Sequence, residues 1–251
     1  MYKFFVSDEQ VFNDKIYILN SDVNHIKNVL RLEIGEKIEI SDSNCITYIA
    51  EIEKYENKKI ICKVISEIAS NKEPEIYINI IQGLPKSDKM EYIIQKCTEL
   101  GVKEFTPLEL KRSIVKIDNK NEEKKLKRWQ SIAEVAAKQS KRNFIPKVNK
   151  VYNIKNINEI IKNYDIILVP YENEKNNSLK KEINNIAKNN LKIAVIIGTE
   201  GGFEESEILE LEKLNAKIVS LGKRILRTET VSIVISSILM YCLGDLGGEN
   251  N

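Results

Sequence analysis

Two short stretches late in this chain of 251 residues combine residue types that could do chemistry. The first is Ile197-Gly198-Thr199-Glu200-Gly201-Gly202-Phe203. The second runs from Leu221 and Gly222 through Arg224, Ile225, Leu226 and Arg227 to Glu229 and Thr230. Each follows a β-type apolar run and opens a helix-type run, so two glycine-bearing turns close two neighbouring strands. In open α/β sheets, ligands of nucleotide type sit at such strand ends. The first stretch lacks the Gly-Lys-Ser/Thr ending of a phosphate loop and the Gly-x-Gly-x-x-Gly spacing of a dinucleotide turn. Glu200 also opposes a phosphate by charge. Its carboxylate suits a cationic ligand, or one with amine and hydroxyl donors, and the sulfonium S-adenosylmethionine has all three. Beside a methyl donor, an Arg can stabilise negative charge developing on a nucleobase, and a Glu can accept a proton or orient the base. Taken singly, the same residues also read as a tight strand-to-helix turn and as an Arg227–Glu229 ion pair at a helix start.

The elements that must position these turns follow from periodicity. Residues 1–70 read as short β-rich runs at Tyr2–Val6, Lys15–Leu19, Lys37–Ser41, Ile46–Ile52 and Lys59–Ile65, with a helical insertion at Asp22–Leu30. A small β-barrel closes such a set. The polar stretch Ser70–Pro74 marks a domain boundary. Beyond it strands and helices alternate, which predicts an α/β domain over 74–251 with a largely parallel sheet. Strands are expected at Ile76–Ile81, Ile166–Val169, Ile193–Ile197 and Lys217–Leu221. Helices are expected at about Asp88–Leu100, Glu122–Ser140, Leu179–Lys188 and Glu205–Leu214. The final segment, Thr228–Leu243, is locally β-branched and strand-like, but its length and apolar continuation favour a buried helix.

Composition removes several function classes. The 42% apolar and 30% charged residues describe an ordinary globular chain. No N-terminal segment has signal-peptide character, and the apolar stretch Val231–Leu243 is too short to span a bilayer. Cys45, Cys62, Cys97 and Cys242 are scattered and read as core residues of a reduced, cytoplasmic protein. One histidine, His25, excludes a two-His metal site and argues against Ser-His-Asp or Cys-His hydrolysis. The net charge of +2 conceals a basic middle: residues 71–150 carry eighteen Lys/Arg against eleven Asp/Glu. Such an excess favours a polyanion, though it also fits a solvated lysine-rich surface.

Taken together, the residues resemble the RsmE family of bacterial ribosomal RNA methyltransferases. His25-Ile26-Lys27-Asn28-Val29-Leu30-Arg31 with Gly35 looks like the family's barrel signature. Leu84-Pro85-Lys86, Lys89-Met90-Glu91, Gln95-Lys96, Glu99-Leu100-Gly101-Val102, Arg112-Ser113, Trp129, Gln139-Ser140, Arg142 and Ile145-Pro146 match through the middle. Ile197-Gly198, Glu200-Gly201-Gly202, Leu221 to Thr230 and Gly244-Asp245-Leu246-Gly247 match at the end. Thr199 and Glu204 depart from the family's usual Pro and Ser without removing a functional group.

The resemblance implies a PUA-like β-barrel for RNA followed by a SPOUT methyltransferase domain with a trefoil knot. It also implies a homodimer, no metal, and methylation of N3 of a uridine in the 16S rRNA of the small ribosomal subunit with S-adenosylmethionine. Backbone at Ile197, Gly198, Glu200, Gly201 and Gly202, and at Leu221, Gly222, Ile225, Leu226 and Thr230, is expected to hold the cofactor. Leu168, Pro170 and Glu172 complete the pocket. Arg227 and Glu229 are the expected catalytic pair, with Glu172 and Glu200 as rival proton acceptors. Lys3, Arg31, Lys86, Arg112, Lys138, Lys141 and Arg142 are the expected phosphate contacts. His25 fits either an RNA contact or a hydrogen bond within the barrel. Two other classes remain open: a knotted methyltransferase acting on another RNA position, and a non-catalytic RNA-binding assembly factor.

Overall fold

The computed structural model describes residues 1–68, 72–186 and 190–248. Ser70 and Asn71 of the expected boundary, and the end of the helix expected to reach Lys188, lie outside the described residues. The chain divides into two compact units: Met1–Glu73 with Ala137–Phe144, and Pro74–Ala136 with Ile145–Asn251.

In the first unit, β1 (Lys3–Phe5), β2 (Val11–Phe12), β3 (Lys15–Leu19), β4 (Lys37–Ser41), β5 (Thr47–Glu56) and β6 (Lys59–Ile68) form one sheet in the order β1-β4-β5-β6-β3-β2. Only the β1–β4 pair is parallel. Phe4, Ile16, Ile18, Ile38, Ile40, Ala50, Ile52, Ile60 and Cys62 belong to a single buried cluster. Five strands feeding one core require the sheet to curl round it, and alternation puts their polar neighbours outside. Helix α1 (Ser21–Asn24) runs into a wider π-type turn, His25–Leu30, which delivers Ile26 to that core. His25 is exposed, edge-on to Phe4. The segment Ala137–Phe144 is held by a polar cluster. Lys3 donates to Glu39 and to Asn143, each at 2.9 Å, and Arg142 pairs with Glu73 at 2.6 Å.

The second unit is a parallel sheet covered on both faces. Its strands are β7 (Tyr77–Gly83), β8 (Glu104–Glu109), β9 (Lys147–Val148), β10 (Tyr152–Asn153), β11 (Ile166–Pro170), β12 (Lys192–Ile197) and β13 (Lys217–Val219). The order is β10-β8-β7-β12-β11-β13, with β9 beside β8, and every pair is parallel. One face packs Ile78, Ile80, Val195 and Val219 against α2 (Lys89–Glu99), α3 (Asn119–Gln139), α5 (Leu179–Asn184) and α7 (Thr228–Leu243). The other packs Ile81, Ala194, Ile196 and Val169 against α4 (Asn158–Ile161) and α6 (Glu205–Lys213). Strands buried on both faces read as continuous apolar runs, as Ile193–Ile197 does.

Strand β8 is not among the expected strands, and Pro107 lies within it. The structure accommodates the missing N–H: β9 pairs with Glu104 and Phe105, β10 pairs with Leu108 and Glu109, and Pro107 falls in the gap between them. α7 is a helix despite its β-branched start, because Ile235, Leu239 and Met240 bury one face against the sheet and α2. The cysteine expectation holds for Cys62 and Cys97, which are buried. Cys242 is exposed and Cys45 half-buried, so neither is a core residue.

Candidate active site

The first glycine turn leaves the carboxyl end of β12. The Gly202 N–H donates to the Thr199 carbonyl at 3.0 Å, closing the turn, and Gly202 takes a φ of +68°. A side chain there would also lie 2.8 Å from the Glu172 Oε1 atom. The left-handed backbone favours glycine, whereas the Glu172 carboxylate is the end of a flexible side chain and could shift. Gly83, at the end of β7, is a requirement that sequence reading missed. A side chain on it would sit 2.9 Å from the Gly198 carbonyl carbon and from the Ile197 oxygen. A lone glycine inside an apolar strand is the signal for such a close approach.

The second turn leaves β13 at the far edge of the sheet. Ser220 Oγ accepts the Gly222 N–H at 3.2 Å, and Arg227 then caps α7 in an extended conformation. From β13 the chain returns to the ends of β12 and β7. A fully internal polar cluster fixes that return. Thr228 Oγ1 donates to the Gly198 carbonyl at 2.6 Å, Gln82 Nε2 donates to Thr228 Oγ1 at 2.8 Å, and Ser232 Oγ donates to Gln82 Oε1 at 2.6 Å. Gln82, Thr228 and Ser232 are all buried. Every member has a partner, so the cluster can specify one arrangement of both turns.

The carboxylates meet at one lysine. Lys89, the first residue of α2, places its ammonium 3.1 Å from Glu200 Oε1 and 3.2 Å from Glu229 Oε2. Glu200 also accepts the Lys86 N–H at 3.0 Å. Burial acts to raise the Glu200 carboxyl, but backbone donors at Glu200 and Lys86 and the Lys89 ammonium outweigh it, and the group sits below the usual carboxylate range. Glu200 first, and Glu229 after it, hold the Lys89 ammonium above its ordinary value.

Two adjoining cavities, about 350 and 120 Å³, open beside these groups. The larger is lined by Ile197, Gly198, Lys89 and Arg227. The smaller is lined by Tyr171, Leu221, Gly222 and Arg224. Pro170, Glu172, Glu200, Gly202, Ile225 and Leu226 face both. Leu168 is a core residue of β11, and Gly201 packs against the Arg112 side chain. Thr230 is half-buried on α7 and lines neither cavity. The pair suits a cationic adenosine-type ligand: apolar walls from Leu221, Ile225 and Leu226, carboxylates at Glu172 and Glu200, and glycine backbone open to close approach. A cavity of about 560 Å³ lies at the other ends of β11 and β13, by Asp165 and Lys217, away from these groups.

Several expected phosphate contacts are engaged inside their own unit. Lys3 and Arg142 are buried. Lys138 pairs with Asp22 at 2.9 Å, and Lys141 donates to the Met1 carbonyl. Arg112 binds Glu204 at 2.7 Å and the Gly201 carbonyl at 2.9 Å, bracing the first turn from behind. Glu204, one of the two departures from the family pattern, thus acquires a partner. Arg31 and Lys86 are exposed. Among the described residues no cluster of His, Cys, Asp or Glu is arranged to hold a metal, and no helix is long and apolar enough to cross a membrane.

A parallel sheet with two braced glycine turns at its carboxyl ends, accompanied by a small β unit, defines the class: a ligand-binding α/β domain with an accessory β domain. A family model for an RNA methyltransferase domain matches residues 71–240, and one for an RNA methyltransferase PUA domain matches residues 18–65. The ribosomal RNA small subunit methyltransferase E of Mesomycoplasma hyopneumoniae is 36% identical over 98% of this chain and 100% of its own length. Its counterpart from Bacillus subtilis is 35% identical over 92% of each. The crystal structure of the Neisseria gonorrhoeae enzyme of that name, bound to S-adenosyl methionine, superposes with a TM-score of 0.86 at 27% identity, covering 98% of this chain and 99% of that one. The chain belongs to the ribosomal RNA small subunit methyltransferase E family, with its PUA-like first domain and SPOUT methyltransferase second domain.

Proposed function

We propose that this protein transfers a methyl group from S-adenosylmethionine to N3 of one uridine in the 16S rRNA of the small ribosomal subunit. The observation that carries this reading is the convergence of both glycine turns, Arg227, Glu200 and Lys89 on one pair of cavities, with Glu229 lining neither cavity but tied to them through Lys89. The cofactor, when bound there, supplies an electrophilic methyl group on a sulfonium. Backbone at Gly198–Gly202 and Leu221–Leu226 holds it, with Pro170 and Glu172 completing the wall. N3 of uridine is a poor nucleophile until its proton leaves, so the protein must favour the uridinate and hold it in line. Arg227 lines the cavity and is placed to stabilise negative charge on the uracil. Glu229 orients the base or accepts the proton. Glu200 accepts the Lys86 N–H in addition to the Lys89 ammonium that it shares with Glu229, which makes it the poorer base.

RNA affinity is assigned to exposed basic side chains, with Arg31 and Lys86 ahead of the internally engaged Lys3, Lys138, Lys141, Arg142 and Arg112. The division of labour is RNA binding by the PUA-like unit and chemistry by the SPOUT unit. Val234 and Tyr241 lie on the outer face of α7, where Tyr241 is 70% exposed, and Ile238 between them is partly buried against the core. That apolar stripe fits the same face of a second copy, giving a homodimer. Action on ribosomal RNA places the protein in the cytoplasm. Mass spectrometry of 16S rRNA nucleosides from cells lacking this chain is expected to show one N3-methyluridine missing. An unchanged nucleoside profile refutes the proposal.

A further inference from the structure

Lys89 lies in the Lys89-Met90-Glu91 stretch that matches the family. We infer that Lys89 is a positioning residue for methyl transfer: its ammonium ties the Glu200 carboxylate of the first turn to the Glu229 carboxylate of α7 and so fixes where both stand beside the cavity. The inference rests on the function proposed above and names what holds its acid–base group in position.

The geometry has three parts. One ammonium lies 3.1 and 3.2 Å from carboxylates carried by two different segments. The Lys89 side chain is 29% exposed, and it lines the same cavity as Arg227. Glu229 Oε2 is buried and makes no hydrogen bond among the described residues, so the ion pair with Lys89 is what offsets its desolvation.

The surrounding charges leave Lys89 in that role. Asp88 precedes it in an exposed position, and Glu91 two residues on is taken by Arg128 at 2.7 Å. Glu172 from the β11 end and Arg227 from the α7 cap face the cavity, and Lys86 contributes its backbone N–H to Glu200. Without the ammonium, Glu200 and Glu229 would stand together as unscreened like charges and repel each other. A Glu229 displaced in this way no longer presents a fixed acceptor.

The test is steady-state methyl transfer from S-adenosylmethionine to small ribosomal subunits prepared from cells lacking this chain, with kcat and KM determined separately. Lys89→Met is expected to lower kcat about tenfold with KM for the cofactor little changed. Lys89→Arg should restore most of the activity. In the Glu229→Gln background, Lys89→Met should cost little more, because the two act as one unit. Lys89→Gln, uncharged but still polar, gives the same readings if Met destabilises α2. An unchanged kcat in both neutral variants, or losses that multiply independently of Glu229→Gln, overturns the role of Lys89. If the wild-type protein itself methylates none of these subunits, the proposed function fails instead.

Discussion

Arg227 and Glu200 stand on opposite sides of the same question, namely what a charged side chain is already doing before a ligand arrives. Arg227 caps α7 in an extended conformation and its side chain is exposed at the larger cavity. Arg227→Ala should therefore lower kcat by about a hundredfold while calorimetry shows cofactor affinity nearly intact. Lost cofactor binding would instead make it a cofactor residue. Glu200 accepts the Lys86 N–H and the Lys89 ammonium. Its carboxyl is depressed in the folded protein, so its stabilising contribution is present above the unfolded pKa of about 4.3 and is lost as pH falls through the lower folded value. Melting curves of wild type and Glu200→Gln should accordingly differ above about pH 5 and converge in stronger acid. A gap that widens on acidification would contradict that sign.

At the scale of elements, the two turns work only if the start of α7 is tied to the ends of β7 and β12. Gln82, Thr228 and Ser232 provide that tie from inside the protein. Thr228→Val keeps the shape but leaves the Gln82 amide and the Gly198 carbonyl short of a partner. It should cost about 1–3 kcal/mol in denaturant titrations and lower activity along with stability. Both turns, most strand positions and the helical nature of α7 were legible from residue types and periodicity. The unread elements have local causes. β8 carries Pro107, which argues against a strand until the gap between β9 and β10 is known, while β9 and β10 have two residues each. Gly83 sits at the end of an apolar run, and its meaning depends on the neighbouring strand's turn.

For the whole molecule, the first unit draws Ala137–Phe144 from more than sixty positions downstream of its own strands. The Arg142–Glu73 pair inside it is buried, with side chains 4% and 5% exposed. Removing one partner strands the other charge, so Arg142→Ala should destabilise the protein by about 3 kcal/mol, read from its unfolding midpoint. A mere loss of RNA affinity at unchanged stability would return Arg142 to the phosphate-contact role. On α7, Val234→Asp should convert the proposed dimer to a monomer in sedimentation analysis; a variant that remains the size of wild type would remove that face from the interface.

By itself, the sequence determined the order of a β-rich unit and an α/β unit, the two glycine turns, and a cofactor type compatible with a carboxylate rather than a phosphate cradle. These are local properties: the side-chain period, the conformations open to glycine, and the sign of a charge within a turn. Tertiary structure alone decided which charges are available. It occupied Lys3, Arg112 and Arg142 with internal partners and set Lys89 between Glu200 and Glu229. Ion pairs and buried hydrogen bonds depend on distances of about 3 Å between atoms. In this protein the groups concerned lie tens to more than a hundred residues apart along the chain, and only folding brings them within that range.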